Sequence, residues 1–288
     1  TLTDATGTLT ITVTAVNDAP VAVADTKTVA EDAALTSTDV IANDTNVDGD
    51  TLSLTAATTA GTGTVAVNAD GLSVDYTPAA NFNGTEIITY TVSDGTLTDA
   101  TGTLTITVTA VNDTPVANSQ NLTVIEDKTL EIILSGSDSD EDTLTYALVD
   151  NPSNGTVSVE GNKATYTPNS NYNGTDTFTY KANDGSVDSN VSTVTITVTN
   201  QNDAPTVSDV NVSVDEDNSV DITLVGSDVD GDDLTYSLVS DPTNGTVSLT
   251  ESKVTYVPSA GYFGSDSFTF KVNDGTIDSE KGTVSITV

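Results

Sequence analysis

The sequence contains no cysteine, histidine, methionine, tryptophan or arginine. Without cysteine no disulfide can staple the fold. Without cysteine and histidine there are no thiolate or imidazole ligands for zinc, haem or iron–sulfur clusters. The missing histidine also removes the side chain that most often serves as a general base near neutral pH. Only seven basic residues, all lysines, stand against 43 acidic ones, a formal net charge of −36. Such a surface repels nucleic-acid phosphates and anionic lipid headgroups, so neither is expected as a partner, and divalent cations suit it well. No apolar run reaches the roughly 18 residues that a membrane helix needs, and no signal-peptide pattern is present. No insertion into a membrane is expected of this segment.

What the chain does contain is repetition. Residues 1–16 (TLTDATGTLTITVTAV) are identical to residues 96–111. The tetrapeptide Asn-Asp-x-Pro recurs at Asn17–Pro20, Asn112–Pro115 and Asn202–Pro205. This spacing predicts the last strand of a truncated upstream repeat over 1–16, followed by repeats over 17–111, 112–201 and 202–288, in a segment of a longer protein. Within each repeat Thr alternates with Leu, Ile or Val, as in Gly102–Val111 and Ser192–Val198, the period of a half-buried strand. Ile88, Tyr90 and Val92 are expected on one face and Thr89 and Thr91 on the other. In the last repeat strands are expected over about 208–214, 219–225, 234–239, 246–249, 253–257, 266–272 and 282–288. Seven short strands in about 90 residues, no helix, and prolines confined to linkers and loops fit an immunoglobulin-like β-sandwich. The fold expected is all-β, with tandem sandwiches stacked end to end.

The acids recur at matching places. A Glu-Asp pair follows the first strand (Glu31-Asp32, Glu126-Asp127, Glu216-Asp217). An acidic cluster precedes a leucine: Asn46, Asp48 and Asp50; Asp138, Asp140 and Asp142; Asp228, Asp230 and Asp232. Glu86, Asp176 and Asp266 close an Asn-Phe-Asn-Gly-like stretch, and Asp94, Asp184 and Asp274 each begin an Asp-Gly turn. If the chain traverses the sandwich up and down, alternate loops fall at opposite ends. The acids of consecutive repeats then meet at the linker between them. The first internal junction would gather Glu31, Asp32, Glu86, Asn112, Asp113, Asp138, Asp140, Asp142 and Asp184. The second would gather Glu126, Asp127, Asp176, Asn202, Asp203, Asp228, Asp230, Asp232 and Asp274. Asp18, Asp48, Asp50 and Asp94 would form the partial set of the first linker. Two carboxylates ~5 Å apart repel by roughly 1–3 kcal/mol at effective dielectric constants of ~80 to ~20. Such clusters call for a cation. Calcium takes about 6–8 oxygen ligands, and each junction offers enough for about two or three ions. Asp44–Gly49 also matches the first half of an EF-hand loop, but Thr55 stands where that loop needs a glutamate and no helices flank it.

Taken together, the Glu-Asp pair, the Asp-x-Asp-Gly-Asp-x-Leu cluster, the Tyr-x-Pro and Asn-Phe-Asn-Gly-Thr-Asp stretches, the Asp-Gly turn and the Asn-Asp-x-Pro linker resemble bacterial cadherin-like repeats of very large calcium-dependent adhesins, including those exported by type I secretion (RTX adhesins). The resemblance implies calcium held between domains by the matching acids. It implies an extracellular location, on the bacterial surface or secreted, and a stalk that serves attachment, cohesion or biofilm formation. Partners would be calcium, neighbouring repeats, and surface polysaccharide or another cell engaged by domains outside this segment. The sequence departs from the pattern at Asn46, which replaces the first Asp of the cluster, and at Glu141, which replaces its Gly. Weaker ion binding is expected at both, at Glu141 through altered turn geometry. Glu86 also stands where the other repeats have Asp, and Gly261 where they have Asn.

No enzymatic activity is expected: there is no Gly-x-Ser-x-Gly elbow and no nucleotide-binding fingerprint. The alternative is a calcium-dependent carbohydrate- or ligand-binding module of a secreted protein, for which two coplanar exposed rings would be the sign; Tyr262 and Phe263 are the candidates. Ice binding by the Thr103–Thr109 array carries less weight, because exposed threonines are simply good strand formers.

Overall fold

A computed structural model describes residues 4–97 and 100–288. The expected all-β architecture is observed, with no helix among the described residues. The chain divides into two compact units. One takes in Thr1–Val116, Gly136–Thr145 and Ala182–Ser189, and the other Ala117–Ser135, Tyr146–Lys181 and Asn190–Val288. Two acidic loops of the middle repeat thus belong with the first repeat.

In the first repeat the strands are β1 (Asp25–Ala30), β2 (Leu35–Asp39), β3 (Ser53–Thr59), β4 (Thr64–Val67), β5 (Ser73–Thr77), β6 (Gly84–Ser93) and β7 (Ala100–Thr109). They form a four-stranded sheet in the order β1-β7-β6-β3 and a three-stranded sheet in the order β2-β5-β4. The first strand lies parallel to the last, with Asp25 opposite Leu104 and Ala30 opposite Thr109. All the other pairings are antiparallel. The chain therefore changes sheets between strands rather than meandering, yet successive strands still reverse direction. Alternate loops fall at opposite ends, as the placement of the acids requires.

The core follows the period-2 pattern. Ile88, Tyr90 and Val92 from β6 and Leu104, Ile106 and Val108 from β7 are buried, while Thr89, Thr103 and Thr107 are exposed. Burying side chains of this size contributes about 1.5–3 kcal/mol each, which is how a chain without disulfides holds its sheets together. Phe178, Tyr180 and Ala182, and Phe268, Phe270 and Val272, do the same in the other repeats. In the last repeat the strand expected over 208–214 is two strands, Thr206–Ser208 and Val210–Ser213, that pair with different sheets. Asp209 marks the crossing, and its Oδ1 accepts a hydrogen bond from Thr283 N at 2.7 Å. The strand expected over 1–16 is absent from the described residues 4–16. Leu9, Ile11 and Val13 there are 83%, 74% and 87% exposed, whereas the identical Leu104, Ile106 and Val108 are buried. Thr1–Thr3 lie outside the described residues.

Candidate metal centres

The parallel pairing of β1 with β7 brings Glu31 beside Thr109 and Val111, 78 and 80 positions further on. Glu31 N donates to Thr109 O at 2.9 Å, and Val111 N donates to Glu31 Oε1 at 2.5 Å. Glu31 is 3% exposed, and its Oε2 has no hydrogen-bond partner. The loop beginning at Asp138 supplies the facing groups. Asp138 Oδ1 accepts from the N–H groups of Asp140 and Asp142 at 3.0 and 3.3 Å. That Asx turn curls the loop until one oxygen each from Asp138, Asp140 and Asp142 lies within 4.8 Å of the others. The linker is tied to the same loops: Asp113 N donates to Asp140 Oδ2 at 2.7 Å, and Asn112 Nδ2 donates to Asp113 O and Asp184 Oδ2, both at 2.9 Å. Asp32 Oδ1 accepts from Asn81 N at 3.2 Å. Burial raises the Asp113 carboxyl above its ordinary value, and the charges of Asp140, Asp32, Glu31 and Asp138 push it the same way. These acids therefore share one electrostatic neighbourhood. Asp184 is held below its ordinary value by the N–H of Val187 and the amide of Asn112.

The second junction repeats the arrangement. Gln201 N donates to Glu126 Oε1 at 2.5 Å, and Glu126 is 2% exposed. Asp203 N donates to Asp230 Oδ2 at 2.8 Å, and Asn202 Nδ2 donates to Asp274 Oδ2 at 2.8 Å. Asp228, Asp230 and Asp232 cluster as their counterparts do, and Asp127 Oδ1 accepts from Asn171 N at 3.1 Å. Burial, followed by the charges of Asp230, Asp127 and Asp228, raises Asp203. Burial and then Asp228, Asp230 and Asp274 raise Asp232.

Seven buried side-chain oxygens among the described residues lack a partner, and six belong to these two centres: Glu31 Oε2, Asp113 Oδ2 and Asp138 Oδ2 in the first, Glu126 Oε2, Asp203 Oδ2 and Asp228 Oδ2 in the second. The seventh is Asp44 Oδ2, close to Asp25 within the first repeat. A buried carboxylate oxygen without a donor is costly unless a cation serves it. The donor set is entirely oxygen, from carboxylates with carbonyls and an asparagine beside them, which is calcium chemistry. The residues present fit the ion.

Glu86 and Asp176 correct the expected sets. They lie on the inward parity of their strands, in line with Ile88 and Phe178, and are buried inside their own repeats. Glu86 Oε1 accepts from Thr62 N and Gly63 N at 2.7 and 3.0 Å, and Tyr76 Oη donates to its Oε2 at 2.9 Å. Asp176 accepts from Ser153 N, Asn154 N and Tyr166 Oη, and Asp266 from Thr243 N, Asn244 N and Tyr256 Oη. These carboxylates clamp a loop and a tyrosine, and their oxygens are already occupied. Their tyrosine partners, Tyr76, Tyr166 and Tyr256, are those of the Tyr-x-Pro stretch, a signal already present in the sequence. Glu141 brings a second correction. Its φ of 62° places it in the same left-handed region as Gly49 at 78° and Gly231 at 81°, so the turn is kept and the residue absorbs the strain.

The first linker makes the same bonds but has no Glu-Asp loop before it in this sequence. Asp18 N donates to Asp48 Oδ2 at 2.7 Å, but Asp18, Asp48 and Asp50 are all exposed. Asp94 is pushed down to about 2 by the N–H groups of Leu97 and Thr96. Glu216 and Asp217 at the other end are exposed, and Asp217 Oδ1 accepts from Gly261 N at 3.0 Å.

Comparison with known proteins agrees with this architecture. Cadherin repeats EC21–23 of human CDH23 superpose with a TM-score of 0.62 at 20% identity, over 93% of this chain and 100% of that one. Repeats EC22–24 of mouse cadherin-23 give 0.56 at 21% identity, over 92% and 95%. At such identity the likeness is one of fold. No curated protein matches the sequence. A family model described as a bacterial Ig domain matches three times, over residues 17–107, 112–197 and 202–287. Three tandem matches spanning nearly the whole chain place this protein in the bacterial Ig domain family.

Proposed function

We propose that this chain is a calcium-rigidified extender segment of a large bacterial cell-surface adhesin, without enzymatic activity, that projects binding domains lying outside it. The observation that carries this reading is the set of three buried, unpartnered carboxylate oxygens at each of the two internal linkers. A non-catalytic role agrees with the copying of each acid from repeat to repeat, as a scaffold does. An extracellular setting, where calcium is plentiful, agrees with membership of a bacterial Ig family. Among the described residues no helix is long and apolar enough to cross a membrane. Attachment, cohesion and biofilm formation are the processes such a stalk would serve. Residues 17–111, 112–201 and 202–288 would be its repeats.

The competing reading, sugar binding on an aromatic platform, has little to stand on. Phe263 is 78% exposed, but Tyr262 is half-buried with its hydroxyl donating to Ser265 O at 2.7 Å. The deciding experiment is small-angle scattering and thermal unfolding in calcium and in EDTA. The extender reading expects a longer, more stable molecule with calcium, and identical profiles in the two conditions would refute it.

A further inference from the structure

The three linkers differ in one decisive atom. Asp138 and Asp228 each use Oδ1 for the N–H groups two and four residues on, and each leaves Oδ2 buried without a partner. Asn46 holds the same place in the first copy and makes the same turn, accepting from Asp48 N at 2.8 Å and Asp50 N at 3.4 Å. Those two donors fix the orientation of its amide. Where the aspartates present a bare oxygen, Asn46 presents an NH2 group, and it donates to the Asp18 carbonyl at 3.1 Å. The equivalent carbonyls of Asp113 and Asp203 are served instead by Asn112 Nδ2 and Asn202 Nδ2, at 2.9 and 3.1 Å. Asn17, the counterpart of those asparagines, turns its amide to Asp94 Oδ2 and Thr96 Oγ1, both at 2.8 Å. At the first linker Asp18, Asp48 and Asp50 are exposed, and the buried orphan oxygen of this loop is that of Asp44, a position held by Gly136 and Gly226 in the other copies.

An amide NH2 carries partial positive charge on its hydrogens and offers no lone pair to a cation. We propose that Asn46 stands in for the ion at the first linker. Its amide bonds to Asp18 O where the other two copies hold calcium, so the linker over residues 17–20 closes without calcium while the centres at Asp138 and Asp228 depend on it. This rests on the calcium reading above and adds which linker escapes it. The backbone of the turn is shared, with left-handed φ at Gly49, Glu141 and Gly231, so the difference lies in side-chain chemistry.

The test follows backbone amide resonances of the 15N-labelled chain during titration with calcium chloride. The loops over 138–142 and 228–232 should shift and the loop over 46–50 should stay still. In Asn46→Asp the loop over 46–50 should also shift, more weakly than the other two because the first linker carries only part of the acidic set. In Asp138→Asn the response of 138–142 should be lost while 228–232 still responds. Two copies carry Asp at this position, so Asn46→Asp is compatible with the fold. The inference is overturned if 46–50 responds in the unsubstituted chain as tightly as the other loops, if it stays silent in Asn46→Asp, or if Asp138→Asn leaves 138–142 responsive. Silence of all three loops in every variant would instead sink the calcium reading and this inference with it.

Discussion

The linker at Asn112-Asp113 and the linker at Asn17-Asp18 carry the same tetrapeptide motif and make the same bonds to the loops that follow, yet only the first of these two has a preceding Glu-Asp loop against it. Around Asp113 the acids are drawn inward: Glu31 is 3% exposed, Asp138 and Asp140 are half-buried, and three oxygens are left without donors. Around Asp18 the acids face water, the Asn17 amide bonds Asp94, and the Asn46 amide bonds the Asp18 carbonyl. A motif by itself therefore does not make a metal centre. Burial against the Glu-Asp loop of a preceding repeat creates the need for a cation.

The largest expected effect comes from removing calcium, which should abolish what sets the two kinds of linker apart. At ~100-fold excess over the dissociation constant each independent site contributes about 2.7 kcal/mol. EDTA should therefore lower the melting temperature markedly by calorimetry, and an unchanged melting point would erase the distinction. In the calcium-free chain the raised Asp113 and Asp203 carboxyls contribute to the pH dependence. An acid whose folded pKa lies above its unfolded value takes up a proton more readily when folded. Metal-free stability at the linkers should thus rise as pH falls from neutrality into the carboxylate range. The lowered Glu86 and Asp266 act in the opposite sense, losing their contribution as pH falls through their folded pKa values. A melting series in EDTA, with and without Glu86→Gln and Asp266→Asn, separates the two trends.

Next in size is Asp176→Ala, which tests acids that look alike in sequence and differ in place. It strands Ser153 N, Asn154 N and the Tyr166 hydroxyl and should cost about 2–4 kcal/mol in urea unfolding. Calcium affinity should not change; a loss of affinity would return Asp176 to the metal centre. Glu31→Gln sharpens the contrast from the other side. It keeps an oxygen for Val111 N but puts an amide where Oε2 was, so calcium affinity at the first junction should fall about tenfold or more, about 1.4 kcal/mol. In EDTA the same variant should be no less stable than the unsubstituted chain, and calorimetry in both conditions checks the pair of outcomes. The smallest effect is expected from Glu141→Gly, which relieves a left-handed non-glycine residue. A gain of up to about 1 kcal/mol in chemical unfolding is expected, with the Asp138 turn unchanged.

Much of this was legible without coordinates. Alternation of Thr with Val, Ile and Leu placed the strands, and the recurrence of Asn-Asp-x-Pro and the acidic landmarks identified the residues that gather at Asp113 and Asp203. Even the clamps could have been read. Glu86 stands two residues before Ile88, and Asp176 two before Phe178, so strand parity already pointed them inward. The end of the sandwich on which a loop lies says nothing about which way its side chains face; strand parity does.

Other features depended on tertiary partners. The parallel register of β1 on β7 is what sets Glu31 against Val111, and no local pattern announces a pairing between residues so far apart. The identical stretches make the point most sharply. Residues 100–109 are a buried strand between two neighbours, while the same sequence over 5–14, with no preceding strands in this sequence to pair with, carries no strand and leaves its leucine, isoleucine and valine in solvent. By itself the sequence determined which residues suit a strand and where acids recur, because alternation and repetition can be read locally. Only the tertiary structure decided which strands pair and which carboxylates lose their water, because sheet hydrogen bonds and desolvation both require a partner from elsewhere in the chain.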